Sequence, residues 1–482
     1  MKVSYGLAYV GVMWIYYVSV NGGVRFPMPV NVFLAYQVLQ FTGTVLHADI
    51  GVRPYDLVRM SAMILGTSIL VIGAAMANRR CEFSPLAEFR AYQKRPLVFD
   101  IRGGIYWWLV LLMGVVGCAV GGLFVYALGF NAPFELVKTY LQNGGDLADT
   151  AVVYGTLRTT LGRELGERYI APGFAAQFIT VLLPLSFYLL YFRALLLKRG
   201  VDRVLAAVFL IACIYLMTAS GIRSYIVIFA VTYLLLSSRR YGPLCEGDMD
   251  DRKKSGTILP RLVITLAGIS FFAFTFMGRR GGDTDPLWKS TLIPFYDFFD
   301  RLVFVSVDNQ FLAMDYFRAR PFGWGLGWIQ SLSNIVPRGM GREILHDLLG
   351  VSSEHGGDLS LEIYRVLYGG DGSAPLDMWS SIWLEFGWPG TLIVPLFVGY
   401  FLQKFTIWFV RGDRSVTRHV ITVMSAFALM NLFEPMALFL GGFFTLMLFL
   451  QLTKLVKMAD WCLLRDRDQS DLTVITAEGD ER

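Results

Sequence analysis

The stretch GIYWWLVLLMGVVGCAVGGLFVYA, residues 104–127, runs 24 positions without a charged side chain. As an α-helix it would rise about 36 Å, at roughly 1.5 Å per residue, enough to cross a hydrocarbon layer of roughly 30 Å. Its apolar residues are continuous rather than alternating, which excludes a strand of a membrane β-barrel. Outward from it, similar apolar runs recur near 5–21, 28–46, 57–77, 171–192, 204–219, 222–237, 259–277, 379–402, 419–434 and 436–453. The pattern predicts an all-α polytopic membrane protein with about eleven transmembrane helices. Composition agrees, because 55% hydrophobic and 17% charged residues, with a mean hydropathy of +0.51, leave too little polar surface for a soluble chain of 482 residues.

Orientation follows from the basic residues, since short loops rich in Lys and Arg stay in the cytoplasm. Four connections carry them. Arg79, Arg80, Arg90, Lys94, Arg95 and Arg102 fall in 78–103, and Arg239, Arg240, Arg252, Lys253, Lys254 and Arg261 in 238–261. Arg193, Lys198, Arg199 and Arg203 mark a third, and Lys404, Arg411, Arg414 and Arg418 a fourth. Segments 128–170 and 278–377 then fall on the outer side, which for the inner membrane of a bacterium is the periplasm. The larger of them holds nine basic against thirteen acidic residues and lacks the inner-face bias. This places the N-terminus outside and the C-terminus inside, although Lys2 leaves counts of ten and twelve spans open.

The chain is thereby divided into 1–277 with eight spans and the outer loop 128–170, a large periplasmic loop 278–377, three spans in 378–456, and a polar tail 457–482 expected to be cytoplasmic and disordered. The first apolar run is read as a retained helix, because no small-x-small cleavage site follows it and a second span comes at once. Of five cysteines, Cys118 and Cys213 fall in spans and Cys81, Cys245 and Cys462 on the inner side, so no outer disulfide and no zinc cluster is expected. The formal charge of +5 is accounted for by the basic loops and implies no nucleic-acid partner.

One hundred residues between spans is more than a connector needs. Loop 278–377 opens on GRRGGDTD and continues through FYDFFDRLVFVSVDNQFLAMDYFRARPFGWGLGW, where aromatic residues alternate with Asp297, Asp300, Arg301, Asp308 and Asp315. That pattern suits helices lying at the membrane interface, or equally a packed cap that includes Arg320. Beyond it Arg338, Arg342, His346, Asp347, Glu354, His355, Asp358, Glu362 and Arg365 fall within 28 residues, interleaved with glycines. Guanidinium groups fork onto phosphate oxygens, and carboxylates or imidazoles accept protons from sugar hydroxyls, so the cluster suits an anionic, hydroxyl-rich ligand. The same charges would also suit a solvated loop in which they pair with one another. Neither GxxxxGK[ST] nor HExxH occurs, so nucleotide hydrolysis and zinc proteolysis have no support, and no cofactor is expected. A further arginine, Arg223, lies in the small-residue turn of YLMTASGIRSYIVIFAV between two spans at the outer face, where it would either line a wet cavity or snorkel to head groups.

The Gly-x-Arg-Ser turn at Arg223, the PFGWGLGW segment followed by VPR, and the span beginning SSIWLEFGWPG together resemble the O-antigen polymerase (Wzy-type) and O-antigen ligase superfamily, over roughly residues 210–400. The resemblance implies a GT-C-like glycosyltransferase at the periplasmic face of the inner membrane, acting on undecaprenyl-diphosphate-linked glycans without metal or nucleotide sugar. Its partners would be membrane lipids and a chain-length regulator and flippase of the same polysaccharide pathway. The ligase branch carries a His-Asn pair shortly before the Glu of its E-x-G segment. Here that Glu is Glu385 and the place reads Leu376-Asp377, which favours the polymerase, with the ligase kept open through His346 or His355. In the polymerase reading Arg223, Arg338 and Arg342 neutralise the diphosphate, and Glu354, His355 or Asp358 orients or deprotonates the attacking hydroxyl. Glu385 is expected to be structural. A flippase or transporter of lipid-linked sugars is a reading from another class, but it would be expected to show two similar halves and several mid-span charges. A purely structural partner in a polysaccharide assembly complex is the remaining one.

Overall fold

Three helices of the N-terminal half begin on proline, whose fixed φ and missing N–H suit the first turn. They are α2 (Pro29–His47), α3 (Pro54–Arg80) and α4 (Pro85–Lys94). They follow α1 (Lys2–Ile15), which ends in a π-helical turn, Tyr16–Val20. Then come α5 (Gly104–Leu128), a second π-turn (Phe178–Leu182) leading into α6 (Leu183–Leu197), α7 (Gly200–Ala219), α8 (Arg223–Ser237) and α9 (Ser306–Tyr316). The last are α10 (Met378–Arg411), α11 (Val416–Ala428) and α12 (Phe443–Val456). This computed structural model describes residues 2–48, 53–100, 104–128, 177–219, 223–238, 306–316, 377–429 and 442–456, with single positions at 134, 138, 139, 141, 142, 243, 322, 324, 325 and 328. Among them no strand occurs beyond one isolated bridge, Val98 to Ser415.

The protein is an all-α, multi-pass membrane protein. Six of the expected spans form helices long and apolar enough to cross a bilayer: Lys2–Val20, Tyr55–Arg80, Gly104–Tyr126, Phe178–Leu197, Gly200–Ala219 and Met378–Arg411. The run expected at 28–46 forms α2, but α2 is not one of the six; its buried Gln37, Gln40 and Thr44 make it a core helix with a polar face. Ile226–Ser237 and α12 are apolar but shorter, and α11 has 13 residues. The expected span 259–277 lies outside the described residues. Boundaries shift most at α10, expected to end near 402, which continues to Arg411.

Two packed groups make most of the core among the described residues. In one, α5, α6, α7, α8, α11 and α12 surround Phe187, Tyr188, Phe192, Leu210 and Tyr233. In the other, α1, α2, α3 and α10 enclose Phe33, Leu34, Met63, Leu70, Trp379 and Ile382. The backbones of α3 and α10 approach most closely: a Cβ on Gly73 would overlap the carbonyl of Leu396, and one on Gly399 the carbonyl of Leu70. Small residues that let backbones meet are the common device of helix packing in lipid, where apolar burial gives no preference for helix over lipid tail. The two helices run in the same direction, since Arg59 meets Asp377 at one end while Asn78 accepts from the amide of Gln403 at 2.6 Å near the other.

The described basic residues of three of the four basic connections gather at that second end, together with Pro243 of the remaining one. Arg411 pairs with Glu88 at 2.6 Å, and Arg95 donates to the carbonyls of Val410 and Gly412. Arg414 donates to the carbonyls of Gln93, Arg95 and Pro243. Arg193 pairs with Asp202 at 3.0 Å and lies 5.1 Å over the ring of Trp107, on the first turn of α5. Val24, Phe26 and Met28, between α1 and α2, pack there against Phe83, Phe89, Tyr92 and Phe409. At the opposite end Lys2 donates to the carbonyl of Leu46, so the N-terminus lies away from the basic loops.

Candidate functional site at the end opposite the basic loops

The charge cluster at this end begins with Arg59, the second turn of α3. Its side chain is fully buried (0% exposed) three residues after the buried Asp56, and a charge in that position has to be paired. One guanidinium nitrogen meets a carboxylate oxygen of Asp377 at 2.6 Å, another reaches the hydroxyl of Ser380 at 2.5 Å, and Nε donates to the Thr44 hydroxyl at 3.3 Å. The other carboxylate oxygen of Asp377 accepts from the backbone N–H of Ser380 at 2.8 Å. Asp377 is thus the N-cap of α10 and the counter-ion of α3 at once, a double use that satisfies an orphan helix N–H and a buried charge with one carboxylate.

Arg53 precedes α3 and pairs with Asp56 at 3.1 Å, its side chain 31% exposed, while donating to the carbonyl of His47 at 2.9 Å. Both arginines lie against one aromatic ring: Arg53 is 5.1 Å and Arg59 5.4 Å from the centre of Phe311 on α9, a cation–π arrangement. Helix α9 is thereby fixed on α2 and α3, with Val307 and Phe311 buried against Ala48 and Met60. Nearby, Trp379 donates its indole N–H to the side-chain oxygen of Gln37 at 2.7 Å.

Glu385, two turns into α10, is 3% exposed. Its carboxylate accepts from the backbone N–H of Gly325 at 2.9 Å and its carbonyl from that of Trp324 at 2.7 Å. These contacts tie the Trp324–Gly325 turn of the long loop to α10, in keeping with the structural role expected for Glu385. Just beyond it Gly387 takes φ +61°, ψ −147°, a conformation open to glycine, and kinks α10. The ring of Phe322 fills the space that a Cβ at Gly387 would occupy.

Of the residues selected from sequence, Arg223 is the first residue of α8, and its side chain is outside the described set. Arg338, Arg342, His346, Glu354, His355 and Asp358 all lie outside the described residues, as does Arg320. Sequence reasoning missed Arg59 and Asp377. The available signal was an arginine inside the apolar run 57–77, and Asp377 was weighed only as the residue standing where the ligase branch differs. Among the described residues no group of three or more His, Cys, Asp or Glu could hold a metal ion. Comparison with known protein families, with characterised proteins and with solved structures found no match to this chain.

Proposed function

We propose that the protein is a polymerase of polysaccharide repeat units, transferring glycan between undecaprenyl-diphosphate-linked oligosaccharides at the periplasmic face of the inner membrane. The observation that supports this reading is the buried Arg59–Asp377 pair at the end opposite the basic loops, where α3 meets the N-cap of α10. A buried ionisable residue within a span, here Arg59, is costly and is by default a pointer to function. Buried charges among the described residues lie near the two ends of the helices, which suits a site at the interface better than a translocation path through the midplane.

In the reaction a hydroxyl of one lipid-linked repeat unit attacks the anomeric carbon of the other chain with inversion, and undecaprenyl diphosphate leaves. Arg223, Arg338 and Arg342 neutralise the charge that grows on the leaving diphosphate, which stabilises the transition state more than the ground state. Glu354, His355 or Asp358 takes up the proton of the attacking hydroxyl. The GT-C-like architecture, the glycan substrate and the flippase and chain-length partners belong to this proposal and rest on the sequence resemblance.

The test is purified protein given only lipid-linked repeat units and a chelator. Longer chains are expected, with elongation lost in Arg338→Glu and Arg342→Glu and only mildly reduced in Arg320→Glu. Strict dependence on magnesium or a nucleotide sugar would rule the mechanism out. The ligase reading predicts a different phenotype: a deletion strain that still makes full-length chains but leaves them off the lipid acceptor.

A further inference from the structure

Trp324 is held in a backbone conformation that its side chain disfavours, and the residue is largely exposed. Its φ is +50°, in the left-handed region that bulky L-residues rarely adopt, and 69% of the residue is exposed. The neighbouring aromatics of the same turn are anchored. Phe322 packs at Gly387 and edge-on to Trp383 at 6.0 Å, while Trp328 donates to the Ser381 hydroxyl at 2.9 Å and meets Phe386 edge-on at 5.1 Å. The turn itself is clamped from below by Glu385, which accepts from the N–H groups of both Trp324 and Gly325. A buried carboxylate and two aromatic anchors therefore hold one large ring outward at the end where α10 begins, with Phe322 edge-on beside it at 6.5 Å. Strain maintained by so many surrounding contacts is found where a site needs it.

We propose that the Trp324 indole is a saccharide-stacking platform, on which the apolar C–H face of a pyranose ring of the lipid-linked glycan lies. This deepens the polymerase reading and rests on it for the identity of the ligand. A pyranose offers one face of C–H groups and a rim of hydroxyls, and a flat, amphipathic, immobilised indole suits that face while losing little side-chain freedom. The alternative occupant of an exposed tryptophan at this depth is the lipid head-group region.

The variants Trp324→Phe, Trp324→Ala and Trp324→Gly separate these. Glycine accepts a φ of +50° without strain, so Trp324→Gly is expected to be at least as stable as wild type and removes misfolding as an explanation. Elongation kinetics on lipid-linked repeat units should show KM raised about tenfold in the Ala and Gly variants, with kcat nearly unchanged and the Phe variant close to wild type. Binding of the free oligosaccharide hydrolysed from those repeat units, followed by saturation-transfer NMR, should be lost in parallel. Unchanged saccharide binding in Trp324→Gly, or no binding by wild type, overturns the proposal and leaves Trp324 as an interfacial anchor. Trp324-dependent binding by a wild-type protein that elongates nothing would instead sink the polymerase reading and leave the platform standing.

Discussion

Replacing Arg59 with Met leaves the Asp377 carboxylate buried without its counter-ion, and replacing Asp377 with Asn leaves the guanidinium in the same position. At 2.6 Å the gross attraction is on the order of 6 kcal/mol for an effective dielectric constant of about 20. Desolvation of the two ions offsets several kcal/mol each, so the pair as a whole is nearly neutral, but losing one partner costs about 3–5 kcal/mol. Asn caps a helix as well as Asp, so Asp377→Asn keeps the bond from the Ser380 N–H while its amide nitrogen, a donor, replaces the oxygen that accepts from Arg59, removing the charge and that acceptor together. The double variant Arg59→Met/Asp377→Asn removes both charges and is expected to be more stable than either single variant. A melting temperature is a poor measure here, since a chain of 482 residues shifts by only about 1 °C per kcal/mol. Reversible unfolding in bicelles by steric trapping resolves the difference, with a coupling energy of about 2 kcal/mol or more expected. A double variant that costs the sum of the two singles, or a coupling near the roughly 0.6 kcal/mol of ordinary interhelical hydrogen bonds in membranes, would refute the reasoning.

At the α3–α10 contact, Gly399→Leu should separate the helices and lower the yield of folded protein in detergent, whereas Gly122→Leu on α5, where a Cβ meets nothing within 4 Å, should not; size-exclusion profiles compare the two. Impermeant maleimide applied to intact cells should label a Cys placed at Asp283 but not one placed at Lys254, and the reverse result would invert the topology. Arg223→Lys keeps the charge but loses the planar two-pronged donor, so it should insert normally and lose most elongation activity; wild-type chain lengths from Arg223→Ala at normal protein levels would reduce the residue to snorkelling.

Spans such as 104–127 were legible because bilayer thickness imposes one length on every crossing helix, and a charge-free run of that length has few other uses. That the basic residues share one end was legible for a similar reason: a topology rule acts on each loop separately, and Arg411, Arg414, Arg95 and Arg193 lie together at one end of the bundle. Helix α4 was read as part of a connection, because a ten-residue amphipathic helix with Phe89 and Tyr92 buried leaves no mark in a hydropathy window sized for spans. Arg59 and Asp377 were illegible as a pair. They are 318 positions apart, and neither residue alone reveals its partner. Gly387 and Glu385 fell inside a quoted motif, but the kink and the clamp on the Trp324 turn are products of tertiary contact. The loop residues chosen for catalysis, Arg338 to Asp358, lie outside the described residues, so the structure defines the floor on which that loop returns rather than the loop itself.

The separation of Arg59 from Asp377 also has a temporal side. With synthesis at roughly 5–20 residues per second, α3 waits about 16–64 s on the ribosome's clock before the 318 later positions have been made. During that interval a cation that ends fully buried has no carboxylate of α10 to meet. Placement in the second turn of α3 keeps it near the aqueous boundary, where a long side chain can reach head groups until its partner is synthesised. The newborn chain is therefore expected to hold Arg59 without its α10 partner until residue 377 is made, and truncation before residue 377 should leave α3 a target for membrane quality-control proteases.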